Sequence, residues 1–278
     1  MPEYNAATDL LERNLRAGRG GKVAYVDAFG PVNYTALAER VDRAGDALRG
    51  LGVQIEQRVM LVMQDTVDLV AVFLGAIKIG AVPVPVNTLL TAADYAHFLG
   101  DSRARVLVVS DALLPKLRDA RACSPWLAAT VVARTPEGGP DDGLPRLDDL
   151  LAAATPGLAA APTCADDVAF WLYSSGSTGK PKGAIHLHAH LERTATLYAQ
   201  GVLGLREDDV VFSAAKLFFA YGLGNALTFP LAVGATTVLL AGRPTPAAVF
   251  ATLEGRACTV FCGVPTLFAS MLADAAHA

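Results

Sequence analysis

The sequence predicts an α/β protein in which helices cover mainly parallel sheets. Two observations lead there: strand-like and helix-like segments alternate along the chain, and the loops between them are short. Leu37, Val41, Ala44 and Leu48 recur at helical spacing, and Gly50 and Gly52 mark the stop. Arg58 to Met63 reads as a strand, Thr66 to Ile79 as a helix and Ala81 to Val86 as a strand. A helix over about 92–99, a buried-type strand at 106–109, a helix over 111–121 and a strand at 130–133 continue the alternation.

Composition then shifts. Residues 135–145 are rich in Pro, Gly and Asp, and residues 152–162 in Ala and Pro. This predicts a loop or linker over roughly 135–165, dividing a first α/β subdomain (1–165) from a second (166–278). In the second part, strands are expected at 168–173, 184–187 and near 210–213, 236–240 and 258–262. Helices are expected at 189–203 and near 222–229, 246–254 and 265–274, and no repeat of fixed period is present.

At 278 residues and 53% hydrophobic content, the chain can bury a sizeable core. With 23 Lys and Arg against 27 Asp and Glu, it carries no electrostatic footprint for nucleic acid or an anionic membrane. The most apolar run, Leu69 to Val86, is interrupted by Lys78, Pro83 and Pro85, and reads as a buried helix followed by a buried strand. Residues 1–15 carry Glu3, Asp9, Glu12 and Arg13 without an apolar stretch, unlike a secretory signal. Cys123, Cys164, Cys258 and Cys262 form no CxxC pattern and are expected as buried free thiols in a reducing cytoplasm.

The segment Tyr173-Ser174-Ser175-Gly176-Ser177-Thr178-Gly179-Lys180-Pro181-Lys182-Gly183 carries the chemistry. Its glycines let main-chain N–H groups approach a ligand closely, its hydroxyls add donors, and Lys180 and Lys182 add positive charge. Such a loop after a buried strand suits a polyphosphate. It is not a Walker A motif, because Gly176 and Gly179 are too close and Pro181 follows Lys180.

The segment resembles the signature loop of the adenylate-forming superfamily, the AMP-binding acyl-CoA synthetases and their relatives. Val32 to Leu37 and Ile77 to Asn87 are similar to two further core motifs of that family, so the resemblance spans almost the whole chain. It implies that Ser174, Ser175, Gly176, Ser177, Thr178, Gly179 and Lys182 handle the ATP phosphates, with Thr178 and Lys182 in catalytic roles; no role is carried over to Lys180. It also implies the N-terminal subdomains of an acyl-adenylate-forming ligase fold.

Lys216-Leu217-Phe218-Phe219-Ala220-Tyr221-Gly222-Leu223-Gly224-Asn225 places three aromatic residues and two glycines after an expected strand. From the residues alone it is either a core turn or a pocket for a flat aromatic ring. Residues 212–230 resemble benzoate–CoA ligases within the superfamily, with Phe219 where many members have His. That resemblance implies Phe219, Ala220, Tyr221 and Gly222 as acid-binding residues. The implied reaction takes an aromatic carboxylate, Mg²⁺ and ATP to an acyl-AMP, and then, with coenzyme A, to a thioester. In relatives the adenine and Mg²⁺ motif, the hinge and a small C-terminal domain lie further along the chain. Weak or absent activity of these 278 residues alone, uncovered sheet edges and association of copies are therefore expected. The alternatives are a ligase for a hydroxybenzoate or fatty acid, or a module that binds nucleotide or acyl ligand without catalysis.

His186, His188 and His190 are read as a strand-to-helix junction, not a zinc site. The pairs Asp141-Asp142 and Asp148-Asp149 are read as solvated loop, and Asp166-Asp167 as a cap before the following strand.

Overall fold

The computed structural model describes residues 2–174 and 181–274. Helix α1 (Ala6–Arg16) starts at Asn5, whose side chain accepts the Thr8 N–H at 3.2 Å. Strands β1 (Val23–Asp27) and β2 (Gly30–Asn33) form an antiparallel hairpin leading into α2 (Tyr34–Gly50). There follow β3 (Arg58–Val62), α3 (Val67–Lys78), β4 (Val82–Pro85), α4 (Ala92–Ser102), β5 (Val106–Ser110), α5 (Leu114–Ala122), β6 (Ala129–Ala133) and α6 (Leu147–Ala153).

Strands β3 to β6 form a parallel sheet in the order β4-β3-β5-β6. Alternate side chains point to opposite faces. Met60, Val62, Leu107 and Val109 pack with Tyr95, Phe98 and Leu99 of α4 and with Leu114 and Leu117 of α5. Val59, Leu61, Val106 and Val108 join the opposite cluster with α2 and α3. Both faces are covered, which is why these strands are apolar throughout.

The second half contributes β7 (Val168–Ser174), β8 (Lys182–Leu187), α7 (His188–Thr194) and β9 (Val210–Ser213). Then come α8 (Ala220–Leu223), α9 (Phe229–Val233), β10 (Thr236–Val238), α10 (Pro246–Arg256), β11 (Val260–Cys262) and α11 (Pro265–Leu272). Strands β7 and β8 are antiparallel. The others form a five-stranded sheet ordered β11-β9-β10-β1-β2, parallel except for β2.

That order qualifies the division expected at residue 165. Strand β1 lies beside β10, with Tyr25 opposite Thr237, so one sheet draws strands from both sides of it. Residues 135–165 are not all loop either: α6 lies within them, and its Leu147 and Leu151 are each 4% exposed in the main core. A seven-residue helix of Leu, Asp and Ala is too short to display a helical period in composition.

Helix α3 is buried along its length from Val67 to Ile77 and touches strands of both sheets. Its first N–H, on Val67, donates to Asp27 at the end of β1 at 2.9 Å. Close approach of α2 depends on Gly75, where a Cβ would lie 2.7 Å from the Gly45 nitrogen and 2.9 Å from the Val41 oxygen. No helix among the described residues is long and apolar enough to cross a membrane. Of the four free cysteines only Cys262 is buried, and Cys123 is exposed, so the expectation of buried thiols fails for most of them.

Candidate active site

Strand β7 runs alongside β4 and delivers the glycine- and hydroxyl-rich loop. The Tyr173 ring stacks on Phe98 of α4, centroids 4.2 Å apart, and its hydroxyl donates to Asp101 at 2.6 Å. Burial, and then the Asp101 carboxylate, raise the Tyr173 pKa, so the phenol stays a neutral donor. In the hairpin register Tyr173 pairs with Gly183 and Ser174 with Lys182. A Cβ on Gly183 would sit 3.1 Å from the Trp171 ring, so glycine permits this packing. Ser174 and Lys182 thus stand opposite each other at the neck of the loop, and Lys182 is exposed. Ser175, Gly176, Ser177, Thr178 and Gly179 lie outside the described residues.

The second predicted segment leaves β9 at Ser213. The Ala214 N–H donates to the Cys262 carbonyl at 2.9 Å, and the Leu217 N–H faces both Asp65 carboxylate oxygens at 3.3 Å. Lys216 Nζ donates to the Leu240 carbonyl and reaches that of Ala241 at 3.4 Å. Phe219 and Tyr221 are 50% and 44% exposed, and Ala220 is exposed beside them. Gly222 is buried: a Cβ there would meet the Lys216 carbonyl oxygen at 2.1 Å and that of Ala215 at 2.4 Å. Its role in this geometry is close backbone packing. Beyond α8 the helix widens into a π turn, Gly224–Thr228, where Asn225 donates to the Tyr221 carbonyl at 2.9 Å.

A cavity of about 670 Å³ opens where the carboxyl ends of the parallel strands of both sheets converge. Gln64 follows β3, Thr88 and Leu89 follow β4, and Ala214 to Phe219 follow β9. Arg243 and Thr245 follow β10, and Val264 and Thr266 follow β11. Crevices outside the carboxyl ends of strands are where open α/β sheets bind ligands. Lys116, Lys216 and Arg243 line this one and, among the described residues, no acidic side chain does. Its chemistry therefore favours an anion. Of the predicted site residues that are described, only Phe219 lines it; Ser174, Lys182, Ala220, Tyr221 and Gly222 do not.

Sequence reasoning passed over Asp65, Lys116 and Arg243. Asp65 carried a usable signal, an acid shortly after an apolar strand and directly before the N-cap Thr66. It is 2% exposed, and burial pushes its pKa up to about 6, opposed by the Lys216 charge and the Leu217 N–H. Burial also lowers the pKa of Lys216.

The histidine string forms a junction. His186 stacks on Phe170 at 4.5 Å, and His190 Nδ1 accepts the Leu187 N–H at 3.2 Å. His188 is fully buried, and its Nδ1 accepts the Ala6 N–H at 3.0 Å, so it caps α1 from across the chain. Burial pushes its pKa down to about 4. Asp142 pairs with Arg118 and Asp141 with Arg146, while Asp148 pairs with Arg40 and Arg134, all near the surface. Asp167 accepts the Cys164 N–H at 2.8 Å.

Comparison with known proteins converges on one family. The chain is 56% identical over 276 residues to the benzoate–CoA ligase of Thauera aromatica, covering 99% of this chain and 51% of that protein. It is 49% identical over 274 residues to the 4-hydroxybenzoate–CoA/benzoate–CoA ligase of Rhodopseudomonas palustris, covering 99% and 50%. Among solved structures, a benzoate CoA ligase from Burkholderia xenovorans LB400 superposes with a TM-score of 0.90 at 48% identity, covering 99% of this chain and 53% of that one. The chain thus spans about half the length of the curated relatives it matches. The family model described as AMP-binding enzyme matches residues 11–278, and the chain belongs to that family.

Proposed function

We propose that the full-length protein activates an aromatic carboxylate, benzoate first of all, with ATP, and passes the acyl group to coenzyme A. The observation that carries this reading is the hairpin register. It sets Ser174 against Lys182 at the neck of a glycine- and hydroxyl-rich loop, in a chain 56% identical to a benzoate–CoA ligase. A carboxylate oxygen attacks the α-phosphorus of ATP, the bond to the β-phosphate oxygen breaks, and pyrophosphate leaves. The CoA sulfur, as thiolate, then attacks the acyl carbon, the C–S bond forms, and AMP departs with the bonding pair of the C–O bond.

In this reading Ser174, Ser175, Gly176, Ser177, Thr178 and Gly179 supply donors to the β- and γ-phosphates. Lys182 offsets the charge that grows on the departing pyrophosphate. Donors aimed at developing charge commonly contribute factors of about 10² or more to the rate. Phe219, Ala220 and Tyr221 hold the aromatic ring, and Gly222 lets their loop turn closely over Lys216. The cationic cavity beside Phe219 suits the carboxylate of the acid, and a reaction that consumes ATP and CoA fits a cytoplasmic setting. Mg²⁺ enters as the counter-ion of ATP. Among the described residues no acidic side chain lines the cavity, so the cavity offers it no carboxylate ligand. A hydroxylated ring is the second reading, favoured by the likeness to the 4-hydroxybenzoate–CoA/benzoate–CoA ligase.

The test is acid-dependent pyrophosphate release from Mg-ATP by the full-length protein, with benzoate, hydroxybenzoates and fatty acids offered separately. Benzoate is expected to give the highest kcat/KM, and Lys182→Ala to lower it by about 100-fold. Release with none of the acids would leave a binding module as the better description.

A further inference from the structure

We propose that Asp65 and Lys216 act together as positioning residues that fasten the acid-binding loop to both sheets and so set affinity for the carboxylic acid. This rests on the aromatic-acid reading above. The loop from Ala214 to Phe219 belongs to no regular element, so its backbone groups need partners from elsewhere. Asp65 supplies one from the turn between β3 and α3, where its buried carboxylate receives the Leu217 N–H. Lys216 ties the loop in the opposite direction through its own side chain, which reaches the carbonyls of Leu240 and Ala241 just beyond β10. At the anchors the side chains of Leu217 and Phe218 are buried, and after them come Phe219, Ala220 and Tyr221, all exposed.

Packing alone does not call for this arrangement. Burying a carboxylate and an ammonium is costly, and an apolar pair of similar volume often serves stability equally well. Here neither charge ends in an ion pair with the other within 4.0 Å; each is bonded to backbone of a loop at the carboxyl end of a strand. Charge-assisted bonds to backbone are short-ranged and directional, so they hold a loop at one height. Gly222 adds a third constraint, because its Cα lies against the Lys216 carbonyl with no space for a side chain. Lys216 also lines the cavity on the side of the loop next to Phe219, so a shift of its stem moves the wall that an acid meets.

The phosphate loop is carried by a different hairpin, anchored through Tyr173 to Phe98 and Asp101. Loosening the Asp65–Lys216 anchors should therefore be felt by the acid and not by ATP. In the full-length protein, Lys216→Met and Asp65→Ala should each raise KM for benzoate by about 10-fold or more while KM for ATP changes less than about 2-fold. Asp65→Asn keeps an acceptor oxygen for the Leu217 N–H and should restore the benzoate KM to within about 3-fold of wild type. Equal rises in both KM values, or an unchanged benzoate KM, would overturn the proposal. Amide hydrogen exchange over residues 215–222 supplies a readout independent of turnover. Asp65→Ala should accelerate it by about 10-fold without affecting α3 or β5. Unchanged protection there would overturn the proposal whatever the activity. A wild-type protein inactive with every aromatic acid would instead sink the functional reading, and the exchange experiment would still decide whether the pair anchors the loop.

Discussion

His188 and Asp65 are both buried titratable groups, and their linkages to folding have opposite signs. His188 has a folded pKa of about 4, below its ordinary 6.5. As pH falls from about 6.5 towards 4 the unfolded chain takes a proton that the folded chain refuses, and stability falls by up to about 1.4 kcal/mol per pH unit. Asp65 has a folded pKa of about 6, above its ordinary 3.8, so over roughly the same window the folded chain takes the proton first and stability rises. Urea unfolding at pH 4.5 and 6.5 separates them. Relative to wild type, His188→Leu should lose less stability on acidification and Asp65→Asn should lose more. Shifts of the same sign in both variants would contradict the assignment. At neutral pH His188→Leu also strands the Ala6 N–H at the start of α1, costing about 1–3 kcal/mol. The histidine string was legible as a junction in sequence. That its middle member reaches the first N–H of a helix 182 residues earlier was not, because nothing local records such a contact.

At the scale of elements, the crossing of α2 and α3 depends on two glycines in contact. Gly75→Ala would push a methyl group against the backbone of Gly45 and Val41, neither of which can rotate away as a side chain could. Such overpacking typically costs about 1–3 kcal/mol, more than alanine's gain in helix propensity. A lowered thermal midpoint with far-UV circular dichroism preserved is the expected result, and an unchanged midpoint would show that the helices can separate at no cost. Most elements were legible because each carries its own signal. Buried parallel strands are apolar runs such as Val106–Ser110, and α2 repeats its apolar residues at helical spacing. Strand β1 was passed over although Val23-Ala24-Tyr25-Val26 is an apolar run, whereas two other missed elements lack such a signal. Strand β2 is Gly-Pro-Val-Asn, which resembles a turn, and α6 is shorter than the window in which a helical period becomes visible.

At the scale of the molecule, the two sequence segments are interleaved. Strand β1 completes the sheet of β9, β10 and β11, and Asp27 at its end accepts the first N–H of α3, the helix buried between the sheets. A chain of residues 166–278 alone would expose the β10 edge that β1 covers and the apolar surface that α1 and α3 bury. It should fail to unfold cooperatively, and adding residues 1–165 in trans should restore a transition if the pieces associate. Cooperative unfolding of the isolated segment would instead favour two independent domains.

What the sequence determined by itself is whatever is local or periodic. That includes the strand–helix alternation, the glycine- and hydroxyl-rich loop after an apolar strand, and the aromatic segment after Ser213, each readable from residues within about one turn or strand of one another. Only the tertiary structure decided which distant groups share a space. It set Asp65 under Leu217, His188 against Ala6, β1 beside β10, and the cations Lys116, Lys216 and Arg243 around one cavity. These contacts join residues far apart in the chain, and they arise from sheet order and helix packing, which hydrogen-bond register and burial settle for the molecule as a whole.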